Sequence, residues 1–104
     1  MSNLEELSKT KSDQYVKRYF YSDGTIESED RYDKDGNLTK EIFFYSDGTI
    51  KREVHSDKDG NREKVIFFNS YGTIESEYRY DKDEDITKEI IFNSDGTIQH
   101  EVHS

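Results

Sequence analysis

The acids and histidines are the side chains of this chain with the greatest potential for chemistry. Asp33-Lys-Asp-Gly36 has the acids with which a calcium loop begins, but an EF-hand loop requires a bidentate Glu at its twelfth position, where this sequence has Phe44. His55 and His103 occupy equivalent positions of an internal repeat, too far apart to share a metal within one sheet. No serine stands with a histidine and an acid in the arrangement of a catalytic triad. We therefore expect no metal, no cofactor and no enzymatic activity.

Non-covalent binding of an anionic polymer is the second chemistry that these residue types allow. Single-stranded nucleic acids are held by aromatic rings that stack on bases and by cations that follow the phosphates. The chain has 15 Lys and Arg, 8 Tyr and 6 Phe, but it also has 24 Asp and Glu and a net charge of -9. Its cations can form such a site only where the fold separates them from the acids, so the fold must be predicted first.

A short turn motif repeats along the chain. Gly recurs every twelve residues, with Glu84 at the one position of the series where Gly is missing. Four of the six glycines belong to a motif that ends in Gly-Thr-Ile, and its copies are Tyr21-Ser-Asp-Gly-Thr-Ile26, Tyr45-Ser-Asp-Gly-Thr-Ile50, Asn69-Ser-Tyr-Gly-Thr-Ile74 and Asn93-Ser-Asp-Gly-Thr-Ile98. Between the copies lie Asp33-Lys-Asp-Gly-Asn37 and its relatives Asp57-Lys-Asp-Gly-Asn61 and Asp81-Lys-Asp-Glu-Asp85.

These turns predict an all-β fold of 12-residue strand-turn units. Ser-Asp-Gly and Lys-Asp-Gly suit a three-residue hairpin loop in which Gly takes the left-handed conformation. This loop pairs Phe20 with Ile26 and Tyr32 with Leu38. The segments between turns are rich in Ile, Phe, Tyr, Val and Thr, which favours strands. We predict eight strands, at 15–21, 25–33, 37–45, 49–57, 61–69, 73–81, 85–93 and 97–103.

The predicted register sorts side chains by parity. Paired residues share parity, and side chains alternate between faces, so all even-numbered residues lie on one face. That face has six strand cations against a single acid, Asp30. We predict that it is a nucleic-acid or partner site formed by Arg18, Lys40, Arg52, Arg62, Lys64, Lys88, Phe20, Phe44, Phe68, Phe92, Tyr32, Tyr78 and Tyr80. The odd face has an alternative acidic surface formed by Glu29, Glu41, Glu53, Glu77, Glu89 and Glu101.

Closed arrangements compete with an open sheet. A small up-and-down barrel with the even face inside would bury the six cations, at several kcal/mol for each uncompensated ion. A dimer packed face to face meets the same objection unless only the Phe and Ile side chains are covered. We therefore predict an eight-stranded antiparallel meander that forms an open, twisted single sheet, with the small barrel and the face-packed dimer as alternatives.

The turn chemistry is similar to that of known repeat families. Tyr32-Asp-Lys-Asp-Gly-Asn-Leu38 resembles the core of the YD repeats of bacterial Rhs-type proteins. The 24-residue hairpin unit is similar to MORN and MORN-variant repeats, some of which belong to antitoxins, and the resemblance covers Tyr15 to Ser104. Neither family has catalytic residues to transfer. The resemblance implies a non-enzymatic surface built from β-hairpin repeats.

Two binding functions follow from the predicted faces. The first is binding of single-stranded RNA, or of an anionic ribonucleoprotein partner, by the basic and aromatic even face. The second is a protein–protein module, such as an inhibitor or an antitoxin-like protein, that docks on one partner and can present the acidic surface as a nucleic-acid mimic. Either function is compatible with a homodimer.

The first fourteen residues stand outside the repeat. Asn3 is a suitable N-cap for a short helical turn over Leu4-Glu-Glu-Leu7, so we predict an N-terminal tail at 1–14 with a helical turn, followed by one β-repeat domain at 15–104. The sequence has no Cys, which excludes a disulfide scaffold. It also has no apolar run of membrane-spanning length and no signal-peptide pattern, so we predict a cytoplasmic protein without a membrane partner.

Overall fold

The computed structural model describes residues 4–9 and 15–104, and all regular secondary structure in these residues is β. The strands are β1 (Leu4–Lys9), β2 (Tyr15–Phe20), β3 (Ile26–Tyr32), β4 (Leu38–Phe44), β5 (Ile50–Ser56), β6 (Arg62–Phe68), β7 (Ile74–Tyr80), β8 (Ile86–Phe92) and β9 (Ile98–His103). β2 to β9 are the eight strands that the repeat predicts. Their ends agree with the prediction to within one or two residues.

The strands form one antiparallel meander. The order in the sheet is the order in the chain, from β1 to β9. Within residues 4–9 and 15–104, each strand contacts only the strands before and after it, so the sheet stays open. This confirms the predicted open single sheet and excludes the closed barrel. A flat layer of sheet is about 10 Å thick, whereas the shortest extent of the molecule is 27 Å, so the sheet is strongly twisted and curved.

The predicted helical turn at the N-terminus is wrong. Leu4–Lys9 forms β1, which pairs with β2 from Leu4 opposite Phe20 to Lys9 opposite Tyr15. A single helical turn is unstable in isolation because nucleation fixes several residues for one hydrogen bond. The free edge of β2 offers a row of main-chain donors and acceptors instead. The sheet therefore has nine strands, and the proposed cap Asn3 lies outside the described residues.

The hairpin loops adopt the predicted conformation. In the first loop the Tyr21 amide donates to the Thr25 carbonyl at 2.8 Å, and the Gly24 amide donates to the Tyr21 carbonyl at 2.9 Å. Gly24 has a φ of 91°, a left-handed conformation that Gly adopts without a Cβ clash. Glu84, where the Gly series is interrupted, is held in the same region with a φ of 63°. The loop geometry is thus maintained even where the sequence lacks Gly.

A β-bulge beside each loop changes the register of the strands. Phe20 pairs with Ile26 as predicted, but Tyr19 pairs with Ser28, so β3 has one extra residue at this point. The same shift occurs in every hairpin from β2 to β9. A slip of one residue moves all subsequent side chains to the opposite face. Beyond the bulge, even residues lie opposite odd ones, and the predicted sorting of faces by parity is wrong.

Buried side chains occur on both faces. Val65 and Ile66 are neighbours in β6 and point to opposite faces, yet they are only 5% and 8% exposed. Val16, Ile42 and Ile90 are also buried, together with the polar residues Glu29, Ser76 and Glu77. Because the sheet is a single layer, the cover over these residues comes from longer side chains on neighbouring strands. No helix among the described residues is long and apolar enough to cross a membrane.

Candidate functional surfaces

The observed register divides the predicted site residues between two surfaces. One, the ion-pair face, contains Glu29, Glu53, Glu77 and Glu101. The other, the groove face, contains Phe43, Arg52, Phe67 and Tyr78. Of the predicted binding residues, the ion-pair face has Arg18, Lys40, Lys64, Lys88, Phe20, Phe44, Phe68 and Phe92, and the groove face has Arg52, Arg62, Tyr32, Tyr78 and Tyr80.

The predicted acidic surface is divided in the same way. Glu29, Glu53, Glu77 and Glu101 lie on the ion-pair face, whereas Glu41 and Glu89 lie on the groove face. The glutamates that share a face are separated by Ile side chains on the strands between them, such as Ile42 opposite both Glu29 and Glu53. The continuous acidic stripe expected from parity is therefore absent from the described strands. The bulges that divide the predicted basic face between the two surfaces divide this stripe as well.

A row of cations and imidazoles crosses the ion-pair face. Its members are direct cross-strand neighbours, with one from each strand between β3 and β9: Arg31, Lys40, His55, Lys64, Arg79, Lys88 and His103. Adjacent strands are about 4.8 Å apart, so these side chains are closely spaced. Arg31, His55, Arg79 and His103 were missing from the predicted set because parity placed them on the other face.

The glutamates next to this row neutralise it. Glu29 accepts from Arg18 Nε at 2.9 Å and from Arg31 Nε at 2.7 Å. Glu53 lies 2.9 Å from His55 Nε2 and 3.5 Å from Lys40 Nζ. On the following repeat, Glu77 accepts from Arg79 Nε at 2.7 Å. Most of the positive charge on this face therefore already has an internal partner.

The last glutamate of the series has the same pairing. Glu101 lies beside His103 and 3.6 Å from Lys88 Nζ. The hydrogen bond with His103 and the charge of Lys88 lower the pKa of the Glu101 carboxyl below its usual value. Glu101 thus continues the charge compensation to the last described strand.

On the groove face, two arginines stack on aromatic rings. The guanidinium carbon of Arg52 lies 4.4 Å from the centre of the Phe43 ring, and that of Arg62 lies 5.5 Å from the centre of the Tyr80 ring. Phe67, opposite Arg52, meets Tyr78 edge to face with ring centres 5.8 Å apart. Such cation–π and aromatic contacts hold large side chains in defined positions.

The stacked side chains surround an open depression. Its volume is about 260 Å³, and its lining consists of Glu41, Phe43, Arg52, Val54, Arg62, Val65, Phe67 and Tyr80. A second depression of about 340 Å³ adjoins it and shares Glu41, Val54 and Arg62 with it. Together they form a groove over the central strands, with Val54 and Val65 in its floor. Arg52 Nε is buried at the groove and has no hydrogen-bond partner among the described residues.

The groove is lined by charges of both signs, with Glu41, Asp59 and Glu84 beside Arg52, Arg62 and Lys58. Its lining has no His, and Ser56 is its one hydroxyl nucleophile apart from the Tyr80 phenol. In the part of the chain that the structure describes, no three His, Asp or Glu side chains gather where they could hold a metal ion. The groove therefore combines an apolar floor and flat rings with two guanidinium groups, an ammonium group and three carboxylates.

Acidic repulsion occurs at one end of the groove face. Asp30 lies directly opposite Glu41. Burial and the charge of Glu41 raise the pKa of the Asp30 carboxyl, and the Lys17 ammonium opposes this shift. Directly opposed like charges destabilise a sheet. The groove face therefore contains an unpartnered cationic atom and an acidic pair that Lys17, opposite Asp30, compensates only in part.

Comparisons with known proteins identify the fold but not the activity. Residues 20–67 match the family described as "Protein of unknown function (DUF2963)". No curated protein matches the chain.

Several solved structures contain a similar sheet. A structure titled accessory secretory protein 1, 2 and 3 from Streptococcus pneumoniae aligns with a TM-score of 0.63 and 14% identity over 90% of this chain and 18% of that chain. A mutant of S. aureus TarM in complex with Fondaparinux, alpha-GlcNAc-glycerol and UDP aligns with a TM-score of 0.66 and 16% identity, over 97% of this chain and 19% of that chain.

The Gap123 complex of Streptococcus agalactiae, titled a glycosylation-associated protein complex, aligns with a TM-score of 0.64 and 13% identity over 89% of this chain and 18% of that chain. The chain thus spans about a fifth of the length of these solved chains. At such low identity the similarity concerns the fold alone, an antiparallel meander that occurs as one part of longer proteins.

Proposed function

We propose that this protein is a non-enzymatic protein-binding module that docks on its partner through the groove face. The observation that carries the proposal is the open groove itself, in which Arg52 and Arg62 are held on aromatic rings above an apolar floor. Arginine and aromatic side chains around a desolvated centre are the usual composition of interaction hot spots between proteins. An inhibitor or antitoxin-like role is a special case of this function.

The chemistry of the groove indicates what the partner contributes. The floor of Val54 and Val65 suits an apolar or aromatic side chain, which loses water when it enters. A partner carboxylate that reaches the Arg52 guanidinium would supply an acceptor to a group whose buried Nε has none among the described residues. Charge-assisted hydrogen bonds of this kind are about twice as strong as neutral ones. We therefore propose a partner segment with an apolar anchor beside an acidic residue.

The single-layer architecture supports a docking role. The described strands contain no second layer over either face, so both faces stay available to other molecules. In the solved structures the same type of sheet is part of much longer chains, and two of their titles name several proteins or a complex. A sheet that serves as a platform within an assembly is consistent with this use.

Charge reversal on one face at a time tests the proposal. The full chain is used to capture proteins from a nuclease-treated extract, and the affinity of the purified partner is then measured. Replacing Arg52 and Arg62 by Glu should weaken binding at least about 30-fold, because losing one side of a desolvated charged contact costs roughly 2–5 kcal/mol. Circular dichroism shows whether the fold is retained.

The matched control reverses the same number of charges on the ion-pair face. Lys64→Glu with Lys88→Glu should leave the affinity for a protein partner within a few fold of the wild type, because rim and remote charges contribute little. Equal losses from both pairs of substitutions, or a loss from the Lys pair alone, would contradict docking through the groove.

We propose single-stranded RNA, or an anionic ribonucleoprotein partner, as the second candidate ligand. The observation that favours it is the row of one cation or imidazole per strand across seven strands, with Phe20, Phe44, Phe68 and Phe92 on the same face. The glutamates paired with this row oppose it, since phosphates would have to displace them. For this reason we rank RNA below a protein partner.

A homopolymeric single-stranded RNA is the probe for this second candidate. If the row binds phosphates, Lys40→Glu, Lys64→Glu and Lys88→Glu together should abolish binding, and the wild-type affinity should fall steeply as salt rises because counterions are released. The Arg52 and Arg62 variants then become the control. Binding that is independent of salt, or unchanged by the Lys reversal, would exclude this site.

We also propose a cytoplasmic setting. The absence of Cys from the sequence supports it, since structural disulfides are typical of oxidising compartments. Cell fractionation with an antibody to the full chain tests the location directly. Recovery in the membrane or extracellular fraction would contradict it.

A further inference from the structure

One edge of strand β9 has no partner strand among the described residues. All six of its residues are exposed, including the large apolar side chains of Ile98 and Val102. Among the described strands β9 pairs only with β8, so its opposite side has main-chain donors and acceptors without a strand partner. An exposed edge of this kind is a template for another strand.

The hydrogen bonding of β9 shows which residues face outward. The Ser104 amide donates to the Thr87 carbonyl of β8 at 3.0 Å. Main-chain groups alternate in direction along an antiparallel strand, so Val102 and His100 also point toward β8. Glu101 and His103, which lie beyond the bulge at Gln99, therefore direct their amide and carbonyl groups away from the sheet.

The number of strands determines which partner continues the sheet. The nine strands alternate in direction, so β1 and β9 run the same way. If copies were added head to tail without rotation, β1 of one copy would lie parallel to β9 of the next. Pairing of β9 with β9 of a second copy, around a two-fold axis perpendicular to the sheet, instead keeps the antiparallel pattern. Antiparallel pairing is slightly more stable per residue, and a two-fold interface closes on itself.

Repulsion between carboxylates and hydrogen bonding between side chains select the register. With Glu101 opposite itself, two carboxylates would meet on the ion-pair face, which is destabilising. A shift of two residues places Glu101 opposite His103 of the second copy and brings Val102 opposite its equivalent on the groove face. Glu101 and His103 then exchange main-chain hydrogen bonds on both sides of the axis.

We propose that two copies of the chain join through their β9 edges in this register to form a continuous antiparallel sheet. The exposed Val102 side chains meet at the two-fold axis, and Glu101 pairs with His103 of the second copy. The ion-pair face of one copy continues into that of the other, and so does the groove face. The dimer therefore presents two grooves on the same side.

Cysteine crosslinking tests this register, since the sequence has no Cys of its own. In the proposed dimer the Cα atoms of the two Val102 residues form a non-hydrogen-bonded pair about 4.5 Å apart, within the range for a disulfide. The full-length Val102→Cys protein should form a crosslinked dimer under mild oxidation, and Glu101→Cys should form much less. Crosslinking of Glu101→Cys in preference to Val102→Cys would overturn the register.

Sedimentation of the chain without Cys tests the dimer itself. The wild type should sediment as a dimer at high micromolar concentration, and Glu101→Pro should sediment as a monomer. Pro at this position removes an outward amide and the Glu101–Lys88 ion pair but keeps the main-chain hydrogen bonds to β8. Circular dichroism of the variant should retain the β signal. A monomeric wild type, or a dimer that Glu101→Pro leaves unchanged, would overturn the proposal.

Discussion

On the ion-pair face Glu29 accepts from two arginines, whereas on the groove face Arg52 Nε has no acceptor among the described residues. The two faces come from the same strands and the same repeat. They differ because the bulge in each hairpin places the row of cations and imidazoles beside glutamates on the ion-pair face, one glutamate on every second strand, and leaves Arg52 and Arg62 on the other face. Paired charges stabilise the sheet itself, whereas the buried Arg52 Nε has no such partner among the described residues. The two faces therefore differ in charge compensation, which covers most cations on the ion-pair face and is incomplete on the groove face.

The largest expected change in stability follows from truncating a buried apolar side chain, and the two faces offer one such residue each in β6. Ile66→Ala on the ion-pair face should destabilise the protein by about 2–4 kcal/mol, as expected for removing a buried Ile side chain. Val65→Ala, in the floor of the groove, should lower the free energy of unfolding by about 1–2 kcal/mol, because it removes fewer atoms and the groove above it is already open. Urea unfolding of both variants measures the difference. A larger loss for Val65→Ala would mean that the groove floor, rather than the ion-pair face, is the main core.

An intermediate loss of stability is expected when Glu29, which pairs with two arginines, loses its charge. The Glu29 side chain is 7% exposed and accepts from Arg18 and Arg31. Glu29→Gln preserves the size of the side chain but removes its charge, which weakens the hydrogen bonds from both arginines. We expect the free energy of unfolding to fall by only about 1–2 kcal/mol, because both arginines retain access to water. Glu63 is exposed, so Glu63→Gln is the control and should change stability by less than about 0.5 kcal/mol. Similar melting temperatures for the two variants would contradict a structural role of the ion pairs.

The smallest effect is a gain in stability on the groove face. Asp30 lies opposite Glu41, and burial and this carboxylate raise the pKa of Asp30. An acid whose folded pKa is raised favours folding at low pH, and this contribution is lost as pH rises through the folded pKa. Asp30→Asn should therefore stabilise the protein by about 0.2–1 kcal/mol at pH 7. The advantage should disappear near pH 3, where Asp30 is protonated, and an equal gain at both pH values would exclude repulsion as its cause.

The sequence predicts the turns and the meander because their determinants are local. Gly24 and its equivalents specify the loop conformation, and the pairing of Phe20 with Ile26 follows from loop length. The bulge adds a residue such as Glu27 or Thr39, and a polar residue at a strand end has no distinctive pattern. The doublets Phe43-Phe44 and Phe67-Phe68 place one ring on each face in either register, so they do not reveal the shift.

Two further features depend on contacts between distant parts of the chain. β1 forms because the edge of β2 is free, and nothing in Leu4–Lys9 itself specifies that pairing. The groove requires Arg52 and Phe43 to share a face, which the parity rule without a bulge forbids. The candidate binding surface could therefore be predicted in composition, as aromatic and cationic, but not in position.

The register between β4 and β5 is the foundation of the whole account, and nuclear Overhauser contacts between α protons measure it directly. The bulged register predicts a contact between Ile42 and Glu53, which are paired across the strands. A register without the bulge would instead bring Ile42 opposite Arg52. We expect the Ile42–Glu53 contact. An Ile42–Arg52 contact would move Arg52 to the ion-pair face, eliminate the groove and contradict the separation of the two faces.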